Sequence, residues 1–83
     1  MSEKAIYPGT FDPTTYGHLD IIKRAREIFP EVIVAVADNH QKQPLFSCKE
    51  RVAMLKQVTK GMPGVSVCSF NGLVVDLAHK HKV

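Results

Sequence analysis

Six apolar residues in a row, Val32 to Ala37 in the segment Glu-Val-Ile-Val-Ala-Val-Ala, limit what this chain can become. A strand with one wet face alternates apolar and polar side chains; this one does not, so both of its faces must be covered. That is the condition of a strand in a parallel sheet flanked by helices. Parallel neighbours need crossover helices, and the sequence on either side supplies them. Upstream, apolar residues recur at Leu19, Ile22, Ala25 and Ile28/Phe29, the spacing of an amphipathic helix that starts near Gly17 and is ended by Pro30. Downstream, Ser47 followed three positions later by Glu50 forms a capping box. The helix it opens runs to about Lys60, with Val52, Leu55 and Val58 on its inner side.

Two further strands frame these helices. Lys4 to Pro8 is a short apolar run closed by Pro-Gly and reads as a buried strand. After the turn Met62-Pro63-Gly64, Val65 to Phe70 alternates apolar and polar as a third strand. Asn71-Gly72 punctuates it, and Leu73 to His79 reads as a short helix. The order β-α-β-α-β-α implies an α/β fold: an open parallel sheet of Rossmann-like kind with right-handed crossovers. Ligands of such sheets bind beyond the carboxyl ends of the strands. The loop Gly9 to His18, the loop containing Lys42 and the segment Phe70 to Val74 all leave that edge.

Eighty-three residues hold one domain, spanning 1–83. Apolar residues at 45% and charged residues at 23% are those of a globular protein, with no repeat or low-complexity tract. No apolar run approaches the ~20 residues of a bilayer span, and nothing after Met1-Ser2-Glu3-Lys4 resembles a signal sequence, so the expected location is the cytoplasm. Cys48 and Cys68 form no C-x-x-C pair and are expected to be reduced and structural. The net charge of +3 suits anionic ligands. Its lysines and arginines are scattered, which favours phosphorylated small molecules over nucleic acid. His40, His79 and His81 match no zinc spacing, so no protein-held metal site is expected.

The densest chemical signal is Tyr7-Pro8-Gly9-Thr10-Phe11-Asp12-Pro13-Thr14-Thr15-Tyr16-Gly17-His18. Gly9 permits a tight turn, and Gly17 leaves out a Cβ where a helix begins, so a phosphate can come close. His18 falls in the first helical turn, where the helix dipole already favours an anion and a ring N–H can donate to an α-phosphate oxygen. Neither G-x-G-x-x-G nor Gly-Lys-Ser/Thr occurs. Asp12, between Phe11 and Pro13, reads as a turn former, a magnesium contact or both, and the turn is the favoured reading. Lys42 in a polar loop would ordinarily be a solvated lysine; its place beyond the second strand, on the same edge as His18, favours a ligand role. Arg51 reads as a surface or interface residue.

Thr15-Tyr16-Gly17-His18 resembles the (His/Thr)-x-Gly-His signature of the nucleotidyltransferases. Ala5 to Pro13, Lys42-x-Pro44-x-Phe46, Glu50-Arg51-Val52 and Phe70-x-Gly72-Leu73 together look like bacterial phosphopantetheine adenylyltransferase, and the similarity runs along essentially the whole chain. The resemblance implies transfer of AMP from ATP to 4′-phosphopantetheine with magnesium, giving dephospho-coenzyme A and pyrophosphate. On this chain it implies that Thr10, Phe11 and His18 meet ATP and that Thr10 and Lys42 meet phosphopantetheine. Val74 would add a backbone contact to the pantetheine arm, and Thr10, His18 and Lys42 would do the catalytic work. It also implies a homo-hexamer of full-length members.

Those members are about twice as long, so the domain is expected to be cut short on its C-terminal side, with an exposed sheet edge that invites self-association. Their motif usually carries Asn where Tyr16 stands here. Two rivals remain: another Thr-x-Gly-His transferase acting on a different phosphorylated acceptor, and a non-catalytic fragment that binds nucleotide or phosphate.

Overall fold

A computed structural model describes residues 4–12, 14–38 and 46–71. The described elements are β1 (Lys4–Gly9), α1 (Tyr16–Ile28), β2 (Glu31–Ala37), α2 (Cys48–Val58) and β3 (Val65–Phe70). The short helix expected over Leu73 to His79 lies outside the described residues. All strand pairs are parallel in the order β1-β2-β3, with Ile6 opposite Ile33 and Val34 opposite Val67. Each crossover steps to the next strand in the same direction, so right-handed connections put both described helices on one face. The core cluster agrees: Val32, Val34 and Val36 of β2 meet Ile22 of α1, Leu55 of α2 and Phe11. Ile33 and Ala35, which alternate to the other face, are buried as well, as the unbroken apolar run requires.

β2 and β3 have the expected bounds, and the helix ends differ by one or two residues. α1 starts at Tyr16 because Thr15 caps it, and α2 stops at Val58 with Thr59 as its C-cap. Three expectations about helix faces fail. Ile28 is 76% exposed and Val58 46% exposed. Ile28 is six residues beyond buried Ile22, which turns it well away from that face at about 100° per residue, while the C-cap Phe29 is half-buried. On α2 the inner row is Arg51, Leu55 and Thr59, four apart, and Val58 falls beside it. Arg51, expected to be a surface or interface residue, is instead buried within this chain at 2% exposure. β1, expected to be buried, is half-buried throughout and pairs with β2 alone among the described strands.

The amino-end edge of the sheet is closed by Arg26. Its Nε donates to Pro63 O at 2.6 Å and its Nη1 to Phe29 O at 2.7 Å, tying the end of α1 to the turn before β3. Gly64 in that turn has φ +83°, and a Cβ there would lie 2.5 Å from Pro30 O. With that edge pinned, variation is left to the carboxyl-end edge, where Gly9, Ala37 and Phe70 finish the strands side by side.

Candidate active site

The loop from β1 to α1 is shaped by one aromatic ring. Phe11 takes a left-handed backbone (φ 53°), costly for a bulky residue, and its side chain is 2% exposed. Burial in the core holds it there. The ring lies on Gly9, where an added Cβ would come within 3.0 Å of Cε2, so Gly9 is required by Phe11 itself. Phe11 also meets Tyr7 edge-on at 5.2 Å between centroids and His18 at 4.9 Å. Any ligand contact made by Phe11 therefore comes from its main chain. Thr10, one residue earlier, is exposed at the tip of β1.

His18 sits at the third position of α1, and its imidazole has a structural task. The Thr15 N–H donates to Nδ1 at 2.9 Å, while the His18 N–H donates to Thr15 Oγ1 at 3.4 Å. This is a capping box with histidine in the place that glutamate usually takes. An amide N–H can only donate, so Nδ1 of the neutral ring is the acceptor and Nε2 carries the proton. The free end of the ring is thus a fixed donor at a helix N-terminus, where backbone N–H groups already favour an anion. The sequence motif contains Thr15, but its role as the cap that orients His18 was not read from it.

Gly17 lies between them. A Cβ there would touch Thr15 Oγ1 at 3.5 Å and nothing else within 4 Å, so the protein leaves this space open. Tyr16 is 90% exposed and faces a largely apolar groove lined also by Leu19, Met54 and Val58. Thr10 and His18 take no part in that groove.

Asp12 is a turn residue, as expected, and does more: its Oδ1 accepts the Phe46 N–H at 3.0 Å. Arg51 reaches the same place from α2. Its Nη1 donates to Thr10 O at 2.8 Å and to Ala37 O at 3.0 Å, and its Nε donates to Phe46 O at 3.2 Å. The sequence reading made Arg51 a surface or interface residue because its partners are main-chain carbonyls, which every residue carries. Lys42 and Val74 lie outside the described residues, as do His40, His79 and His81. Among the described residues no three His, Cys, Asp or Glu side chains are grouped to hold a metal ion, and no helix is long and apolar enough to cross a membrane.

Known proteins resemble this chain in sequence and fold. Residues 6–83 match the cytidylyltransferase-like family. The chain is 56% identical over 80 residues to a phosphopantetheine adenylyltransferase of Nautilia profundicola, covering 96% of this chain and 52% of that protein. It is 58% identical over 76 residues to the phosphopantetheine adenylyltransferase of Caldanaerobacter subterraneus subsp. tengcongensis, covering 92% of this chain and 48% of that protein. The chain thus spans about half the length of the curated relatives it matches. Among solved structures, NadR protein in complex with NAD and AMP-PNP superposes with a TM-score of 0.75 at 21% identity, over 82% of this chain and 20% of that one. That likeness bears on the fold alone, a parallel α/β sheet with helices. Sequence and fold together lead to one conclusion: the chain belongs to the cytidylyltransferase-like family.

Proposed function

We propose that this chain forms part of an enzyme that transfers AMP from ATP to 4′-phosphopantetheine, releasing pyrophosphate and forming dephospho-coenzyme A. The observation that carries the reading is the Nε2–H donor of His18 at the start of α1, its ring fixed by Thr15 through Nδ1 and packed against Phe11. The names of the relatives supply the acceptor.

A phosphate oxygen of phosphopantetheine attacks the α-phosphorus of ATP in line. The new P–O bond forms as the bond to the bridging oxygen breaks, and pyrophosphate leaves. The attacking phosphate has a second pKa of ~6 and is mostly ionised near neutrality, so no general base is needed. The protein's contribution is position and charge. Thr10 and the Phe11 main chain hold ATP phosphates, and His18 Nε2–H donates to the oxygen on which negative charge builds. Lys42 binds the acceptor's phosphate, and Val74 offers a main-chain contact to its arm. One well-aimed donor of this kind is worth about 3–4 kcal/mol in the transition state. Magnesium would be brought in with ATP, since among the described residues no three His, Cys, Asp or Glu side chains are grouped to hold it, and it would supply positive charge to the phosphates. The expected setting is the cytoplasm, and the intact enzyme is a homo-hexamer in this reading.

The test is formation of pyrophosphate and dephospho-coenzyme A from MgATP and 4′-phosphopantetheine, with His18→Ala as control. Product that falls at least about a hundredfold in the control is expected. Turnover on another phosphorylated acceptor and none on phosphopantetheine would replace this substrate with that one. MgATP binding without any product, in the intact protein, would leave a binding module.

A further inference from the structure

We propose that the Phe11 side chain is a positioning residue for adenylyl transfer, its ring setting the tilt of the His18 imidazole and so the direction of the Nε2–H donor. This deepens the function proposed above and rests on it.

Three rings from three parts of the chain meet at the start of α1. Tyr7 comes from β1, Phe11 from the loop after it and His18 from the first turn of the helix. Phe11 touches both of the others edge-on, with centroids 5.2 Å from Tyr7 at 86° and 4.9 Å from His18 at 64°. Tyr7 and His18 lie farther apart, at 6.4 Å. Of the three, Phe11 is the one buried outright, in a cluster with Ile22, Val34, Val36 and Leu55. The imidazole therefore leans on a ring that is itself embedded in the core.

The Thr15 N–H holds Nδ1 at 2.9 Å, but that bond alone does not fix the ring. Thr15 Oγ1, 3.3 Å away, meets the same atom and leaves the pivot in place. A hydrogen bond tolerates ~30° of misalignment, and a swing of that size about Nδ1 carries Nε2, across the ring, by about 1 Å. A displacement of ~1 Å at a reacting centre can cost on the order of a hundredfold in rate. A contact at some other point of the imidazole is needed to stop the swing, and the Phe11 ring supplies it.

Burial alone does not call for this placement. A phenylalanine on an ordinary backbone would bury the same apolar surface, whereas this one takes φ 53° and leaves no room for a Cβ at Gly9, which would lie 3.0 Å from Cε2. Strain of that kind persists where the surrounding structure overrides it, and it gathers at functional sites. Here it sets an aromatic ring against the one side chain of the loop whose donor must point in a fixed direction.

The experiment compares the intact protein with Phe11→Leu, Gly9→Ala and Val32→Ala, each first checked for folding by urea denaturation. Phe11→Leu removes the ring and keeps an apolar side chain. Gly9→Ala keeps the ring but displaces it, since the atoms nearest the new Cβ all belong to Phe11, so the question survives if Phe11→Leu does not fold. Val32→Ala opens the same core near the amino end of β2 and controls for lost stability. The expected result is a kcat lowered about 10–100-fold in Phe11→Leu and Gly9→Ala, with KM for MgATP within about threefold of the parent. Val32→Ala should keep kcat within about threefold. In parallel, the imidazole 15N shifts of His18 should report one Nε2–H tautomer in the parent and in Val32→Ala, and shifts averaged between tautomers in the other two. A parent-like kcat or unaltered imidazole shifts in folded Phe11→Leu and Gly9→Ala would overturn the positioning role, as would an equal fall of kcat in Val32→Ala. An inert parent would refute adenylyl transfer and the positioning role with it, and the imidazole shifts of the same samples would tell that failure from a lack of hold by Phe11 on His18.

Discussion

The two ring nitrogens of His18 have separable duties, and substitutions can part them. Nδ1 accepts the Thr15 N–H at 2.9 Å and so helps to cap α1, whereas Nε2 is the outward donor. His18→Ala removes both. Loss of the reciprocal half of a capping box should cost about 0.5–1 kcal/mol of folding stability, and loss of the donor a further 2.7–4 kcal/mol of transition-state stabilisation, or about 10²–10³ in kcat. His18→Gln restores an acceptor at the third helical position, where glutamine is a natural capping-box partner, but moves the outward N–H away from its place. Its urea midpoint should therefore match the parent, while its kcat should fall nearly as far as that of His18→Ala. Long-range 15N–1H correlation spectra of the imidazole should show the proton on Nε2. Full activity in His18→Gln, equal instability of the two variants, or a proton found on Nδ1 would refute the division of labour.

Two further predictions concern stability. Gly64→Ala places a Cβ 2.5 Å from Pro30 O on a left-handed backbone, so it should lose more than about 1 kcal/mol in urea denaturation. Gly61→Ala, where an added Cβ meets nothing within 4 Å, should stay within about 0.5 kcal/mol of the parent. Glu50 is held below its ordinary value of 4.5, first by the Ser47 backbone N–H and then by the Ser47 side chain. A lowered folded value means that this cap stabilises α2 fully above the unfolded value and is lost as pH falls through the folded one. Denaturation midpoints of the parent should drop more steeply below about pH 4.5 than those of Glu50→Gln; parallel curves would count against it.

What the sequence revealed, and what it hid, follows from the kind of interaction involved. The apolar run in β2 and the Ser47–Glu50 box are written in side-chain types, so strand and cap were legible residue by residue. The inner row of α2 was misread because Val58 is apolar and Arg51 is charged, and phase along a helix is set by geometry rather than by polarity. The half-buried state of β1 depends on which strands lie beside it, which no local pattern encodes.

The same distinction divides the site. Gly9, Gly17 and His18 raise the expectation of a phosphate loop by residue type, yet the bonds that hold the loop still are silent in sequence, because they are made to main-chain groups: Thr15 N–H to His18, Phe46 N–H to Asp12, Thr10 and Ala37 carbonyls to Arg51. Such contacts carry no signature in the acceptor, since every residue has a carbonyl. They can be sought from the donor side. A charged residue falling on the inner row of a helix, where burial without partners would cost several kcal/mol, must find acceptors nearby. At the carboxyl edge of a parallel sheet the nearest acceptors are the loops that bind ligand. An arginine in that position is thus tied to the loops at that edge by the same energetics that forbid it to stand unpaired, as Arg51 is to the Thr10 and Ala37 carbonyls.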